Sequence, residues 1–147
     1  MTVHIKLLRS GDDAILRNVA DGVFDHPVDA DLTREFLADL RHHIAVAIED
    51  GVVVGFASGV HYIHPDAHAQ LWINEVSLAP THRQRGLGKA IMNELFKAGR
   101  ANGCKEAWVL SYRNNAPAMA LYASVGGKEG ADSSGPADAL LGYSFDL

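Results

Sequence analysis

Arg83-Gln84-Arg85-Gly86-Leu87-Gly88 is the stretch of this chain best suited to meet an anion. Its two glycines permit a backbone shape and a close approach that side chains would block. The run opens the amphipathic segment Lys89-Ala90-Ile91-Met92-Asn93-Glu94-Leu95-Phe96-Lys97-Ala98 and so stands at a helix N-terminus. Backbone N–H groups there lack intrahelical partners, and the macrodipole adds partial positive charge. A diphosphate fits such a place. Arg83, Arg85 and Lys89 add formal charge, though in an ordinary strand-to-helix turn they would simply be solvated. The spacing matches neither the three-glycine dinucleotide fingerprint nor the P-loop.

A second chemical feature lies just upstream. Glu75 interrupts the apolar run Trp72-Ile73-Asn74-Glu75-Val76-Ser77-Leu78, against strand preference. Partial burial would raise its pKa toward the range useful to a general base. The competing reading is a glutamate paired with an arginine across a sheet, or one on a solvated strand face. A third feature follows the glycine turn: Asn115, Ala118, Leu121, Tyr122 and Gly126 form N-x-x-A-x-x-L-Y-x-x-x-G. Asn115 there is also an ordinary helix N-cap, and Tyr122 an ordinary half-buried core residue. His61, His64 and His68 have loose metal-ligand spacing, but Pro65 interrupts any helix that could align them, so no metal is expected.

The glycine turn and the Asn-to-Gly motif, in this order, resemble the acetyl-CoA site of the GCN5-related N-acetyltransferases, the GNAT superfamily. The resemblance runs from Val3 to the end of the chain. It implies acetyl-CoA as cofactor, gripped at its diphosphate by Arg83, Gln84, Arg85, Gly86, Leu87 and Gly88, with Lys89 within reach of a phosphate. The N–H groups of Val76 and Leu78, on either side of Ser77, would pair with the pantetheine amides as if the cofactor were an added strand. The amide near Val76 would also serve an oxyanion. Asn115 and Ala118 would border the pantetheine arm. Tyr122 would lie by the sulfur and protonate the leaving thiolate, with Glu75 as the base, acting directly or through a water.

Val23-Phe24-Asp25, Ile73-Asn74-Glu75-Val76 and the closing Tyr143-Ser144-Phe145-Asp146-Leu147 resemble the aminoglycoside 3-N-acetyltransferase type I branch. That likeness implies a small cationic amine as acceptor, an aminoglycoside among the candidates, which an acid at Glu75 suits; Asp25, Asp29, His64 and Asn74 are expected to edge the same acceptor pocket. The likeness also implies a homodimer. Two departures stand out: a glutamate at position 75 where the resistance enzymes carry an aspartate, and a divergent stretch Gly130–Pro136. A protein, peptide or polyamine acceptor, or a non-catalytic acyl-CoA-binding module, stays open on the same scaffold.

Composition narrows the field. The chain has 147 residues and a net charge of −5, which does not fit a nucleic-acid binder. Asp21, Asp25, Asp29, Asp31, Glu35 and Asp39 fall close together, as a solvated helix face or as a negative rim that attracts amines. No apolar run reaches the ~18 residues of a membrane span, and the N-terminus has no signal-peptide layout. The single Cys104 cannot form an internal disulfide, so a reduced, cytoplasmic protein is expected.

The elements that must position these residues read as one domain over residues 1–147. Strands are expected at Val3–Leu8, Ile44–Ile48, Val52–Tyr62, Leu71–Ala79, Glu106–Tyr112 and Leu140–Phe145, with an Asp50-Gly51 hairpin turn and a loop at His64–His68. Ser10 would cap a helix over Asp12–Ala20. Asp29 or Asp31 would cap another with the apolar stripe Leu32, Phe36, Leu37 and Leu40. Further helices are expected from the glycine turn to Ala101 and over Ala116–Val125, and a loop over Lys128–Pro136. The class is α/β (α+β), a mixed, mostly antiparallel sheet covered by helices. The resemblance makes it the GNAT fold: six or seven strands, about four helices, and a sheet splayed between strands four and five.

Overall fold

The computed structural model describes residues 2–130 and 139–147. Seven strands form one sheet in the order β1-β2-β3-β4-β5-β7-β6. They are β1 (Val3–Leu7), β2 (His42–Glu49), β3 (Val52–His64), β4 (Ala67–Leu78), β5 (Glu106–Tyr112), β6 (Lys128–Glu129) and β7 (Leu140–Asp146). Only β4 and β5 run parallel; the other neighbours are antiparallel. A parallel pair needs a crossover. Here it is the 3-10 turn Pro80–His82 followed by helix α2 (Leu87–Ala101). Helix α1 (Ala30–Ala38) precedes β2, and α3 (Ala116–Ser124) follows β5. Among the described residues no helix is long and apolar enough to cross a membrane.

Helix α2 packs across β1 to β4 and buries Ile91, Met92 and Leu95 completely. The Asp50-Gly51 hairpin has both turn residues at positive φ, the geometry that suits strand twist. Several expectations are corrected by tertiary pairing. The first expected helix shrinks to a 3-10 stretch, Asp13–Arg17, without a Ser10 cap. The following residues are taken by the sheet: Val53 donates to Asn18, and Ala20 donates to Val53, each at 2.9 Å. There are therefore three α-helices and two 3-10 turns among the described residues, not four helices. Asp29, not Asp31, caps α1 by accepting from the Leu32 N–H at 2.8 Å. Leu32 and Leu40 of the expected stripe are exposed. The expected loop at His64–His68 closes to a two-residue turn, because β3 and β4 pair up to His64 opposite Ala67. Lys128 and Glu129 pair with β7 instead of opening a loop, and the rest of that expected loop, 131–136, lies outside the described residues.

Two irregularities shape the middle of the sheet. β4 and β5 pair only over Gln70–Trp72 and Glu106–Trp108, so β4 continues to Leu78 with a free edge. The β3–β4 register passes from Ser58 opposite Glu75 to Gly59 opposite Ile73, leaving Asn74 as the extra residue of a β-bulge. Close strand approach at this point requires Gly59. A Cβ there would stand 2.7 Å from the Trp72 carbonyl oxygen and 3.3 Å from Leu71. Gly59→Ala should therefore cost about 1–3 kcal/mol of unfolding free energy, measured in urea. An unchanged midpoint and slope would contradict this close approach.

Candidate active site

The bulge decides where Glu75 points. Side chains alternate along a strand. Leu71 and Ile73 are fully buried, Leu71 lying against Gly99 of α2. Unbroken alternation would put Glu75 beneath the same helix. The extra residue reverses the phase. Leu78 returns to the α2 side, where it and Ile91 crowd Gly55. Glu75 and Ser77 turn to the opposite face, and Ser77 Oγ donates to the Val23 carbonyl at 2.7 Å. That bond ties the Val23–Asp29 segment over β4.

Glu75 thereby lines a cavity of about 310 Å³. Its walls include Leu16, Phe24, Val28, Phe36, Ile44 and Phe56, with Asp25 and Asp29 adding charge and Leu32 at its edge. Phe24 stacks on Phe56 with ring centroids 4.2 Å apart, holding the Val23–Asp29 segment against the sheet. Burial, and after it the nearby Asp25, push the Glu75 carboxyl above its usual range. Asp29 divides its role, since one of its oxygens caps α1. Asn74 is the exposed bulge residue and lines neither this cavity nor the next. His64, expected beside the acceptor, sits at the far end of the β3–β4 hairpin, hydrogen-bonded to Asp66. His61 faces inward, 2.7 Å from His43 Nε2. Burial, with His61 as the next cause, pushes His43 down to about 4. Among the described residues no group of three or more His, Cys, Asp or Glu side chains stands close enough to hold a metal. Cys104 is buried, and burial raises its thiol pKa.

The unpaired edge of the same strand opens on a cleft of about 810 Å³. Val76, Ser77 and Leu78 of β4 line it, together with Arg83, Gln84, Gly86, Leu87, Gly88 and Lys89, and Asn115, Ala118 and Tyr122 of α3. The Ala79 N–H donates to Val54 on β3 at 2.8 Å. Backbone alternation then turns the Leu78 and Val76 N–H groups to the other edge, the one β5 leaves free. At the cleft's far end Gly86 caps α2 at φ 76° with no side-chain acceptor. A Cβ on Gly86 would meet nothing within 4 Å, so the turn is open toward solvent. Gly88 is the tight one, where a Cβ would stand 3.1 Å from Leu121 and spread α2 from α3. Asn115 accepts from the Ala118 N–H at 3.3 Å, which starts α3 and sets Tyr122 on its inner face. The Tyr122 ring packs against Tyr143 (5.5 Å) and Phe145 (6.4 Å), and burial raises its phenol pKa. It therefore keeps its proton at neutral pH. Arg85, expected on the diphosphate, lies outside this lining and pairs with Glu49 at 3.6 Å.

A free strand edge, an uncapped helix N-terminus and a protonated phenol fit an extended molecule bearing a diphosphate at one end and a thioester at the other. The sequence profile of the acetyltransferase (GNAT) family matches residues 14–126, and the chain belongs to that family. Streptothricin acetyltransferase of Streptomyces lavendulae is 34% identical over 89 residues, 60% of this chain and 45% of that protein. L-2,4-diaminobutyric acid acetyltransferase of Nocardia farcinica is 30% identical over 86 residues, 58% of this chain and 44% of that protein. The chain thus spans less than half the length of these two relatives. Among solved structures, yncA from Salmonella typhimurium, determined with its cofactor acetyl-CoA, gives a TM-score of 0.72 at 21% identity. That match covers 100% of this chain and 95% of the other, and at such identity the likeness is one of fold.

The residues that sequence reasoning missed are the aromatic and aliphatic walls of the smaller cavity and the polar pair Glu49 and His82. A signal for the bulge was present. The buried positions Leu71 and Ile73 are odd-numbered and the apolar Val76 and Leu78 even-numbered, a slip of one residue in a period of two. Glu75 also has a measurable consequence for stability. Its folded-state pKa lies above the unfolded value, so ionisation opposes folding as pH rises through that range. Glu75→Gln removes this loss, and its melting temperature relative to wild type should increase from acid to neutral pH. A difference that stays flat with pH would place Glu75 in bulk solvent.

Proposed function

We propose that this chain is an acetyl-CoA-dependent N-acetyltransferase acting on a primary amine of a small cationic substrate. One observation carries the reading: consecutive residues of β4, Glu75 and Val76, line different cavities. The strand carries a carboxylate on one face and borders an acyl-carrier cleft along its free edge. An amine entering beside Glu75 loses a proton to a carboxylate whose raised pKa suits that task. It then meets the thioester at the open edge of β4, where the Val76 N–H faces developing negative charge. Tyr122, on the cleft side, supplies a proton to the leaving sulfur.

The acceptor's class follows from the smaller cavity. Two further acids, Asp25 and Asp29, stand at its wall, while the remaining wall is mostly apolar. That combination favours a compact molecule with a second positive charge, which Asp25 would hold while Glu75 takes the proton. The relatives named for streptothricin and L-2,4-diaminobutyric acid are in keeping with small acceptors, and an aminoglycoside remains within the class. A peptide acceptor is disfavoured by the Val23–Asp29 segment, which Ser77 and the Phe24–Phe56 stack hold over the site.

Thiol release from acetyl-CoA, measured against aminoglycosides, polyamines, diamino acids and peptides, tests the proposal. Turnover is expected with small dicationic amines. Glu75→Gln should lower kcat by about 100-fold or more while CoA affinity is retained. Asp25→Asn should raise KM for dicationic acceptors more than for monoamines. Turnover confined to peptides would reassign the acceptor. Tight CoA binding without turnover on any amine would make the chain an acyl-CoA-binding module.

A further inference from the structure

The segment entering the glycine turn carries a backbone demand that its own residues do not meet. Gln84 adopts φ 60° and Gly86 φ 76°. The left-handed region is natural for glycine but costs a residue with a side chain, and such a conformation persists only where surroundings impose it. Arg83, Gln84, Arg85 and Gly86 are all exposed, so core packing does not impose it. A residue distant in sequence but at the same end of the sheet holds this segment from the side. Glu49, the last residue of β2, lies with its side chain only 12% exposed and opposes Val3 and Val52. Its Oε1 accepts from His82 Nε2 at 3.1 Å, and Thr81 Oγ1 stands 2.8 Å from His82 Nδ1. Its Oε2 is buried, has no hydrogen-bond partner among the described residues and faces Arg85 Nη2 at 3.6 Å. One carboxylate thus grips the chain two residues before Gln84 and one residue after it.

We propose that Glu49 is a positioning residue of the donor site, clamping His82 and Arg85 so that the Gln84–Gly88 turn is shaped for a diphosphate before the donor arrives. The inference rests on the acetyl-CoA reading above. It reassigns Arg85 from phosphate ligand to strut and leaves Arg83 and Lys89 as the charged side chains on the cleft. The His82 hydrogen bond, foremost, and the nearby Arg85 charge hold the Glu49 carboxyl below its usual range, so the carboxylate is ionised at neutral pH. Preorganisation of this kind lowers the ordering cost of binding and leaves the reacting atoms untouched.

The test compares wild type, Glu49→Ala and Glu49→Gln by calorimetric titration with CoA. It adds steady-state kinetics with two donors, acetyl-CoA and S-acetylpantetheine, which has the thioester but no diphosphate. Glu49→Ala should weaken CoA binding and raise KM for acetyl-CoA about tenfold, with kcat within about twofold of wild type. The kcat/KM for S-acetylpantetheine should not change. Glu49→Gln can still accept from His82 and should fall between. Glu49→Ala and His82→Ala combined should be less than additive for CoA affinity. An equal loss with both donors would make Glu49 a general structural residue and overturn the proposal, as would unaltered CoA affinity in both Glu49 variants. If Glu49→Ala does not fold, Glu49→Gln and His82→Ala carry the same comparison. Wild-type protein that binds no CoA would overturn the acetyl-CoA reading together with this one. Wild-type binding with unaltered variants would overturn this one alone.

Discussion

A single extra residue in β4 organises this molecule. Asn74 occupies no paired position between Gly59–Ile73 and Ser58–Glu75, and the strand's two faces exchange roles across it. Before the bulge, Leu71 and Ile73 serve the core beneath α2. After it, Leu78 continues that face, while Glu75 turns toward α1. Without the slip the carboxylate would be driven under α2 among fully buried side chains, where an unpaired charge is far more costly than at a cavity wall. The bulge keeps the strand continuous with the core and still delivers an acid to a cavity.

The opening between β4 and β5 complements it. Three residue pairs join the two strands at one end, and beyond Trp72 the β4 edge has no strand partner among the described residues. Free N–H groups on a sheet edge suit pairing with another extended chain, and a helix N-terminus such as that of α2 suits an anion. Both features arise from one connection. The crossover from β4 to β5 must climb over the sheet, and α2 makes that climb starting at the glycine turn. The same helix buries Ile91, Met92 and Leu95 against the sheet, so its N-terminus is anchored by the main core. Beside the turn, Glu49 pairs with His82 and Arg85.

Much of the donor side was legible in the sequence because its signals are local. A glycine that needs positive φ, an N-cap asparagine and a helix stripe are each set within a few residues of chain. Gly86 and Asn115 behave as their neighbourhoods require. Where a helix was expected from local preference at Asp12–Ala20, pairing of Asn18 and Ala20 with Val53 overrode it. His64 is expected beside the acceptor, yet the hairpin carries it to the far end of β3. Arg85 belongs to the glycine run by spacing but to Glu49 by geometry, and the two lie far apart in sequence.

The sequence by itself determined the class of fold, the glycine turn at the head of α2, the tyrosine on α3 and the presence of an acid in β4. These rest on periodicity, capping and turn chemistry, which act over short stretches of chain. Tertiary structure alone decided which face Glu75 takes, that Phe24 and Phe56 wall its cavity, and that Arg85 pairs with Glu49. Those outcomes depend on strand register and on contacts between residues distant in sequence. A shift of one residue in register moves a side chain to the other side of a sheet, and no local preference specifies it.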